Sequence, residues 1–262
     1  MSSDDILTIR ELTVDFGGIR AVDKVSLSLK AGELVGLIGP NGAGKTTVFN
    51  LITNAVKPTS GEILLNGKSI LGKSPDQICR LGISRTFQNI RLFPQMTAYE
   101  NVELGLHSTP RYSIAEAFIR TPRAIRVERE TRKRALELLE IVNLKDFAKE
   151  RASSLPYGLQ RRLEMARAMA TSPQLLLLDE PAAGMNEDEC NDLIKLIRRI
   201  HEMMKYTIII IEHHMNVVME LCQGSRIYVL NLGSLLTVGS PEEVQNNPEV
   251  IRAYLGERKN GR

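Results

Sequence analysis

Along the first forty residues the apolar positions fall in short β-rich runs, LTVDF, VSLSL and LVGLIG, bounded by glycine or polar residues, so the pattern predicts strands joined by turns. GEILLNGKSI repeats it around Asn66-Gly67, a hairpin signal. After Lys45 the period changes. Val48, Leu51, Ile52 and Ala55 recur at helical spacing, which predicts a helix directly after a strand and loop. From 109 to 150 the strand signals vanish, and RVERETRKRALELLEIV sets apolar residues three and four apart in a charged background, predicting a helical insert. The second half alternates again: a helix through Ala170, strand LLLLD, helix NDLIKLIRRI, strand TIIIIE, helix MNVVMELC, then strands RIYVL and SLLTV. Strands alternating with helices predict an α/β fold with a mainly parallel sheet covered on both faces. PEEVQNNPEVIRAYLGERKNGR reads as a short helical tail that frays. No tandem repeat, low-complexity tract or long Pro or Ser linker interrupts the pattern.

A chain of 262 residues has room for one large α/β domain, alone or with a smaller inserted lobe. The 34 Lys and Arg against 31 acids give a net charge of +3, far short of the dense basic face of a dedicated nucleic-acid binder. Cys79, Cys190 and Cys222 are odd in number, far apart and without metal-ligand spacing, so they are expected to be reduced structural thiols in a cytoplasmic protein. The stretch MSSDDILTIRE is acidic and lacks the apolar run of a secretory signal, and no segment approaches the roughly 18 apolar residues a membrane span needs. A soluble protein, or one docked on a membrane protein, is expected.

GPNGAGKTT covers Gly39, Pro40, Asn41, Gly42, Ala43, Gly44, Lys45, Thr46 and Thr47 and satisfies the P-loop pattern, between a predicted strand and a predicted helix. Gly42 and Gly44 let successive backbone N–H groups curl toward one concavity, where the helix N-terminus adds partial positive charge toward phosphate. Lys45 would reach the β and γ phosphates, and the Thr46 hydroxyl would ligate Mg²⁺. LLLLDEP ends a buried-strand run at Asp179, at the carboxyl edge of the sheet, which suits a Walker B residue holding Mg²⁺ through water. Glu180, one step beyond, can orient the attacking water or accept its proton. TIIIIEHHM brings His213 to the same edge, where a neutral imidazole would bridge water, γ phosphate and Glu180; a lone histidine after a strand is more often a cap or surface residue.

P-loop, then Gln88 in RTFQN, then LPYGLQRR, LLLLDEP and EHH, in this order, resembles the ATP-binding cassette (ABC) ATPases over essentially the whole chain, from LTIRELTVDFGG to AYLGE. The resemblance implies a P-loop NTPase cassette spanning 1–262, using ATP and Mg²⁺. Its parts would be an antiparallel β subdomain with the P-loop part of the core in 1–88, a helical insert with the signature loop in 89–172, the rest of the core in 173–240 and a helical tail in 241–262. Gln88 looks like the Q-loop glutamine, which joins the metal site to the insert and senses the membrane partner. Phe16 matches the aromatic position that stacks on adenine, more often Tyr in the family. The signature Leu-Ser-Gly-Gly-Gln is replaced by Leu155, Pro156, Tyr157, Gly158 and Leu159, with Gln160 following. Pro156 lacks the hydroxyl and N–H that the family's Ser aims at the γ phosphate of the opposite chain's ATP, which implies two unequal ATP sites. In the D-loop, Ala183, Gly184, Met185 and Asn186 replace Ser-Ala-Leu and an acid.

FGGIRAVDKVSL, TFQNIRLFPQMTAYENVELG, the long insert, EPAAGMN and NNPEVIRAYLGE are most similar to the larger ATPase subunit of high-affinity branched-chain amino acid importers. That implies a second ATPase subunit as partner, or a homodimer in isolation, two membrane permeases, an indirectly engaged solute-binding protein, no nucleic acid, and a peripheral place on the cytoplasmic face of the membrane. Urea and amide importers are close relatives. Leu92, Phe93 and Met96 suit either a groove receiving a permease helix or packing inside the insert. A soluble ABC ATPase acting on DNA repair or ribosomes would carry two cassettes or a long coiled coil, for which there is no room, and NLKD at Asn143 to Asp146 does not fit the guanine reader of a GTPase.

Overall fold

The computed structural model describes residues 5–107 and 121–260, the side chains of 256–260 excepted. The start of the expected insert, 109–120, lies outside the described residues. The chain divides into two compact units, one of residues 1–78 and 174–262, the other of 79–173.

The first unit holds two sheets. β1 (Asp5–Phe16) and β2 (Ile19–Lys30) form an antiparallel hairpin, and β1 pairs on its other edge with β4 (Ser60–Leu65), which turns at Asn66-Gly67 into the two-residue β5 (Lys68–Ser69), in the order β2-β1-β4-β5. Both turn residues carry positive φ, 49° and 73°, as a two-residue hairpin turn requires. Leu7, Ile9 and Leu12 from β1 and Leu29 from β2 are fully buried.

The other sheet is built from β3 (Leu34–Ile38), β7 (Leu175–Asp179), β8 (Thr207–Ile211), β9 (Ile227–Asn231) and β10 (Ser234–Gly239), and within this unit runs β10-β9-β3-β8-β7. β3 is parallel to both β8 and β9, and β8 to β7; only β10 returns antiparallel. Every residue of β3, β7 and β8 is buried, which is why these strands read as continuous apolar runs rather than alternating ones. α1 (Lys45–Ile52), α6 (Glu187–Met204) and α7 (Met215–Leu221) turn apolar faces inward; on α6 that face is Leu193, Ile194, Leu196, Ile197 and Ile200. At about 2 kcal/mol per buried aliphatic side chain, these faces are the main stabilising term. The expected tail is two helices, α8 (Pro241–Asn246) and α9 (Pro248–Asn260), because Asn247 leaves helical geometry at ψ 119°.

Among its described residues the regular structure of the second unit is helical apart from the short β6 (Ile83–Arg85) and a Thr97–Arg151 bridge; it takes in the end of α2 (Pro75–Arg80), α3 (Ala98–Leu106), α4 (Pro122–Ile141) and α5 (Tyr157–Ala170). α3 starts at a full capping box, Thr97 with Glu100, and packs on both α4 and α5. α4 starts with Thr121 capping the Ala124 N–H and Pro122 in the first turn, where its missing N–H costs nothing. Cys190 and Cys222 are buried, Cys79 half-buried, and all three are free thiols.

Candidate functional site

The P-loop connects β3 to α1, and Gly39 and Gly44 are required by close approaches as much as by φ. A Cβ on Gly39, at φ 150°, would lie 2.1 Å from the Leu230 carbonyl, and one on Gly44, at φ 99°, would lie 2.7 Å from the Ala21 carbonyl. Asn41, Gly42 and Thr46 are exposed at the mouth of the loop while Ala43 and Lys45 are buried. Lys45 Nζ donates to the Gly39 carbonyl at 2.6 Å and the Pro40 carbonyl at 2.8 Å, so the ammonium is held against its own loop. Such a cradle of turned backbone at a helix N-terminus, with a cation inside it, fits polyphosphate.

Because β3, β8 and β7 are adjacent and parallel, the loops that follow them emerge along one sheet edge. Asp179 ends β7 opposite Ile211 and is 1% exposed; Glu180 follows, its N–H bonded to the Ile211 carbonyl at 2.9 Å. Glu180 stands at φ 48°, a left-handed conformation that costs a non-glycine residue about 1–2 kcal/mol. Its Oε1 is hydrogen-bonded to His213 Nε2. The two side chains that the sequence placed after separate strands therefore meet. Thr46 and Asp179 supply a hydroxyl and a carboxylate, hard oxygen donors of the kind Mg²⁺ takes alongside phosphate oxygens.

Between them lies a residue that the sequence reading counted as part of the strand TIIIIE. Glu212 leaves β8, which ends at Ile211, and its buried carboxylate accepts the Ala182 N–H at 2.6 Å, the His213 N–H at 3.1 Å and the His214 N–H at 3.4 Å. Burial pushes this carboxyl above the usual glutamate range, opposed by the three backbone donors and by His214. A Glu closing an all-isoleucine run was the available signal. Asn186 caps α6: its Oδ1 accepts the Glu189 N–H at 3.0 Å in a reciprocal capping box. Phe16 ends β1 half-exposed, opposite Ile19.

In the second unit, α5 begins at Tyr157 with Pro156 as its N-cap residue, at φ −52° and ψ 150°. The Pro156 carbonyl accepts the Leu159 and Gln160 N–H groups at 2.9 and 3.0 Å, and Gln160 Nε2 donates to the Leu155 carbonyl at 2.8 Å. Tyr157 is not merely a bulky stand-in for glycine. Its hydroxyl accepts from Arg161 Nη2 at 2.7 Å, and the same guanidinium donates to the Phe87 carbonyl at 2.7 Å and, in a shorter contact, to the Gln88 carbonyl. One turn on, Glu164 Oε1 accepts the Arg91 N–H at 3.1 Å and the Phe87 N–H at 3.4 Å. The first turns of α5 thus grip the backbone around Gln88 by both its carbonyls and its N–H groups. Sequence reasoning missed Arg161 and Glu164 because in a charged helix start they look like any solvated pair. Of the apolar residues beyond Gln88, Phe93 and Met96 are exposed and Leu92 half-buried, while buried Asn101 ties down this loop through the Phe93 N–H and carbonyl.

A family profile described as ABC transporter matches residues 22–183, and a second, described as branched-chain amino acid ATP-binding cassette transporter, matches residues 234–260. The chain belongs to the ABC transporter ATP-binding family. It is 47% identical over 255 residues, 97% of this chain and 99% of the relative, to the high-affinity branched-chain amino acid transport ATP-binding protein LivG of Salmonella typhimurium. Among solved structures it is similar to the ADP conformation of MJ1267, an ATP-binding cassette of an ABC transporter, at 30% identity and a TM-score of 0.83, covering 96% of this chain and 99% of that one. It is similar as well to the dimeric post-hydrolysis state of the cassette MJ0796 bound to ADP and Pi, at 30% identity and a TM-score of 0.75, covering 90% and 98%. Among the described residues, no helix is long and apolar enough to cross a membrane.

Proposed function

We propose that this chain is the ATP-hydrolysing subunit of an importer for branched-chain amino acids, acting from the cytoplasmic face of the membrane. It would work there with a second ATPase subunit and two permeases, fed by a solute-binding protein. The likeness to LivG supports the substrate class, and the observation that carries the activity is the Glu180–His213 pair at the sheet edge shared with the P-loop. The permeases would meet the exposed Phe93 and Met96 in the 79–173 unit, the part of the cassette that carries the signature loop.

The P-loop N–H groups and Lys45 bind the phosphates of ATP, and the ring of Phe16 stacks on the adenine. Thr46 and Asp179 would hold Mg²⁺, which would supply neutralisation of the phosphate charge. Glu180 orients the attacking water and takes its proton; His213, donating its Nε2–H to that carboxylate, fixes the rotamer of Glu180. Most of the rate comes from positioning, since phosphoryl transfer needs little covalent help. Leu155 to Gln160 close over the ATP held by the partner, and Pro156 makes that loop the weaker of the two in the complex. Glu180→Gln is expected to retain ATP binding while turnover of the assembled transporter falls at least about 100-fold, the scale of a lost general base. Unchanged steady-state ATPase would refute the assignment.

A further inference from the structure

The ladder between β7 and β8 ends at the Asp179–Ile211 pair and the Glu180 N–H on the Ile211 carbonyl, and beyond that point the two chains separate. The next residue is Glu212, 1% exposed, and its side chain takes over where backbone pairing stops. Oε1 accepts the N–H of Ala182, two residues after Glu180; Oε2 accepts the N–H of His213 itself and of His214, with His214 Nδ1 at 3.5 Å. One carboxylate therefore anchors both segments whose side chains meet in the Glu180–His213 pair. Burying a carboxylate is costly, and a neutral or apolar residue would close the same gap at less expense if filling it were the whole task.

We propose that Glu212 is a positioning residue for ATP hydrolysis, holding the segment that carries Glu180 and the segment that carries His213 in the one relation that lets the two side chains pair. The proposal rests on the reading of that pair as the hydrolytic one. It separates Glu212 from a packing residue because only the negatively charged acceptor satisfies N–H groups from both segments at once. Glutamine has the same shape, but one of its two terminal atoms is a donor, so it must leave the N–H groups of one segment without an acceptor.

The test uses the full chain. With ¹⁵N-labelled histidine, E212Q is expected to shift the His213 ring resonances, and exchange of the Ala182 and His213 amides should quicken in a protein that still folds, at a modestly lower Tm; a His213 signal that stays where it was in a folded E212Q protein overturns the proposal. In the assembled transporter, E212Q should lower kcat about 10- to 100-fold with KM for ATP unchanged. It should cost almost nothing further in a His213→Ala background, because the effect runs through His213. Additive losses, or a change confined to KM, also overturn it. Glu212→Asp keeps the charge and shortens the reach; it is expected to fall between wild type and E212Q, and it is read in the same way if E212Q does not fold. Wild-type turnover in Glu180→Gln and His213→Ala would sink the hydrolytic reading by itself, leaving the His213 resonances to judge whether Glu212 holds the pair.

Discussion

Replacing Arg161 by methionine keeps most of the side chain's volume and removes its charge, in a place where the structure leaves little room for repair. The guanidinium is 3% exposed and serves the Phe87 carbonyl, the Gln88 carbonyl and the Tyr157 hydroxyl, with the Glu164 carboxylate 3.6 Å away and 2% exposed. Methionine would leave those acceptors unserved and a buried carboxylate with only Arg167 as counter-charge, a loss of about 3–5 kcal/mol by the usual cost of breaking a buried pair from one side. That is a large part of the roughly 5–15 kcal/mol a domain has. Burial already holds the Glu164 carboxyl above the glutamate range, against the opposing pull of the Arg91 and Phe87 N–H groups and of Arg161. Without Arg161 it rises further. A carboxyl raised in the folded state contributes stability that is present below its unfolded value and lost as pH rises through its folded one, so the deficit of the variant should be smaller in acid, where only the lost hydrogen bonds remain, and widen toward neutral pH. Urea unfolding of the full chain across this range, with exchange of the Phe87 and Arg91 amides, measures it. Arg161→Met with Glu164→Gln should recover part of the loss, since the stranded charge is gone and the amide oxygen still accepts. A loss below about 1 kcal/mol, a gap that narrows as pH rises, or a double variant no better than the single would refute the reasoning.

Gly39→Ala should cost roughly 2–5 kcal/mol, from a strained φ and a methyl 2.1 Å from the Leu230 carbonyl, read as a lower Tm together with lost nucleotide binding. Wild-type stability would mean that the loop can shift. Arg226 grips Glu33 through two 2.8 Å bonds; burial pushes the Glu33 carboxyl up, but the hydrogen bonds and charge of Arg226, with Lys30, outweigh it and hold the group below 4.5. The pair is partly exposed, so Arg226→Leu should cost only about 1 kcal/mol, present above pH 4.5 and lost as pH falls through the lower native value; a deficit that grows in acid would contradict this. Pro156→Ser restores a hydroxyl and an N–H worth roughly 1.5–3 kcal/mol, about 10- to 150-fold, to the partner's ATP site, and should raise ATP-driven closure or turnover of the complex. No gain would refute the idea of unequal sites.

Much of the fold was written in period and punctuation. The all-apolar LLLLD and TIIII have one stable home, a parallel strand buried on both faces, and Asn66-Gly67 has one common use. Glycines at 39, 42 and 44 before Lys45 named the phosphate cradle: all three stand at positive φ, and at 39 and 44 a Cβ would also collide with a carbonyl. Glu212, Arg161 and Glu164 were not legible. A charged residue declares its type in the sequence, but not whether it will be buried, and each of these acts by gripping backbone groups distant in the chain.

The chain by itself therefore determined the order of elements, the phosphate loop and the acids and histidine at the strand ends, since local period and residue chemistry suffice for these. Tertiary structure alone decided that Glu180 turns left-handed and meets His213, that Glu212 spans the gap where β7 and β8 part, and that Tyr157 and Arg161 hold the backbone at Gln88. Those are relations between segments, some thirty to seventy residues apart, and only the packed chain brings their donors to their acceptors.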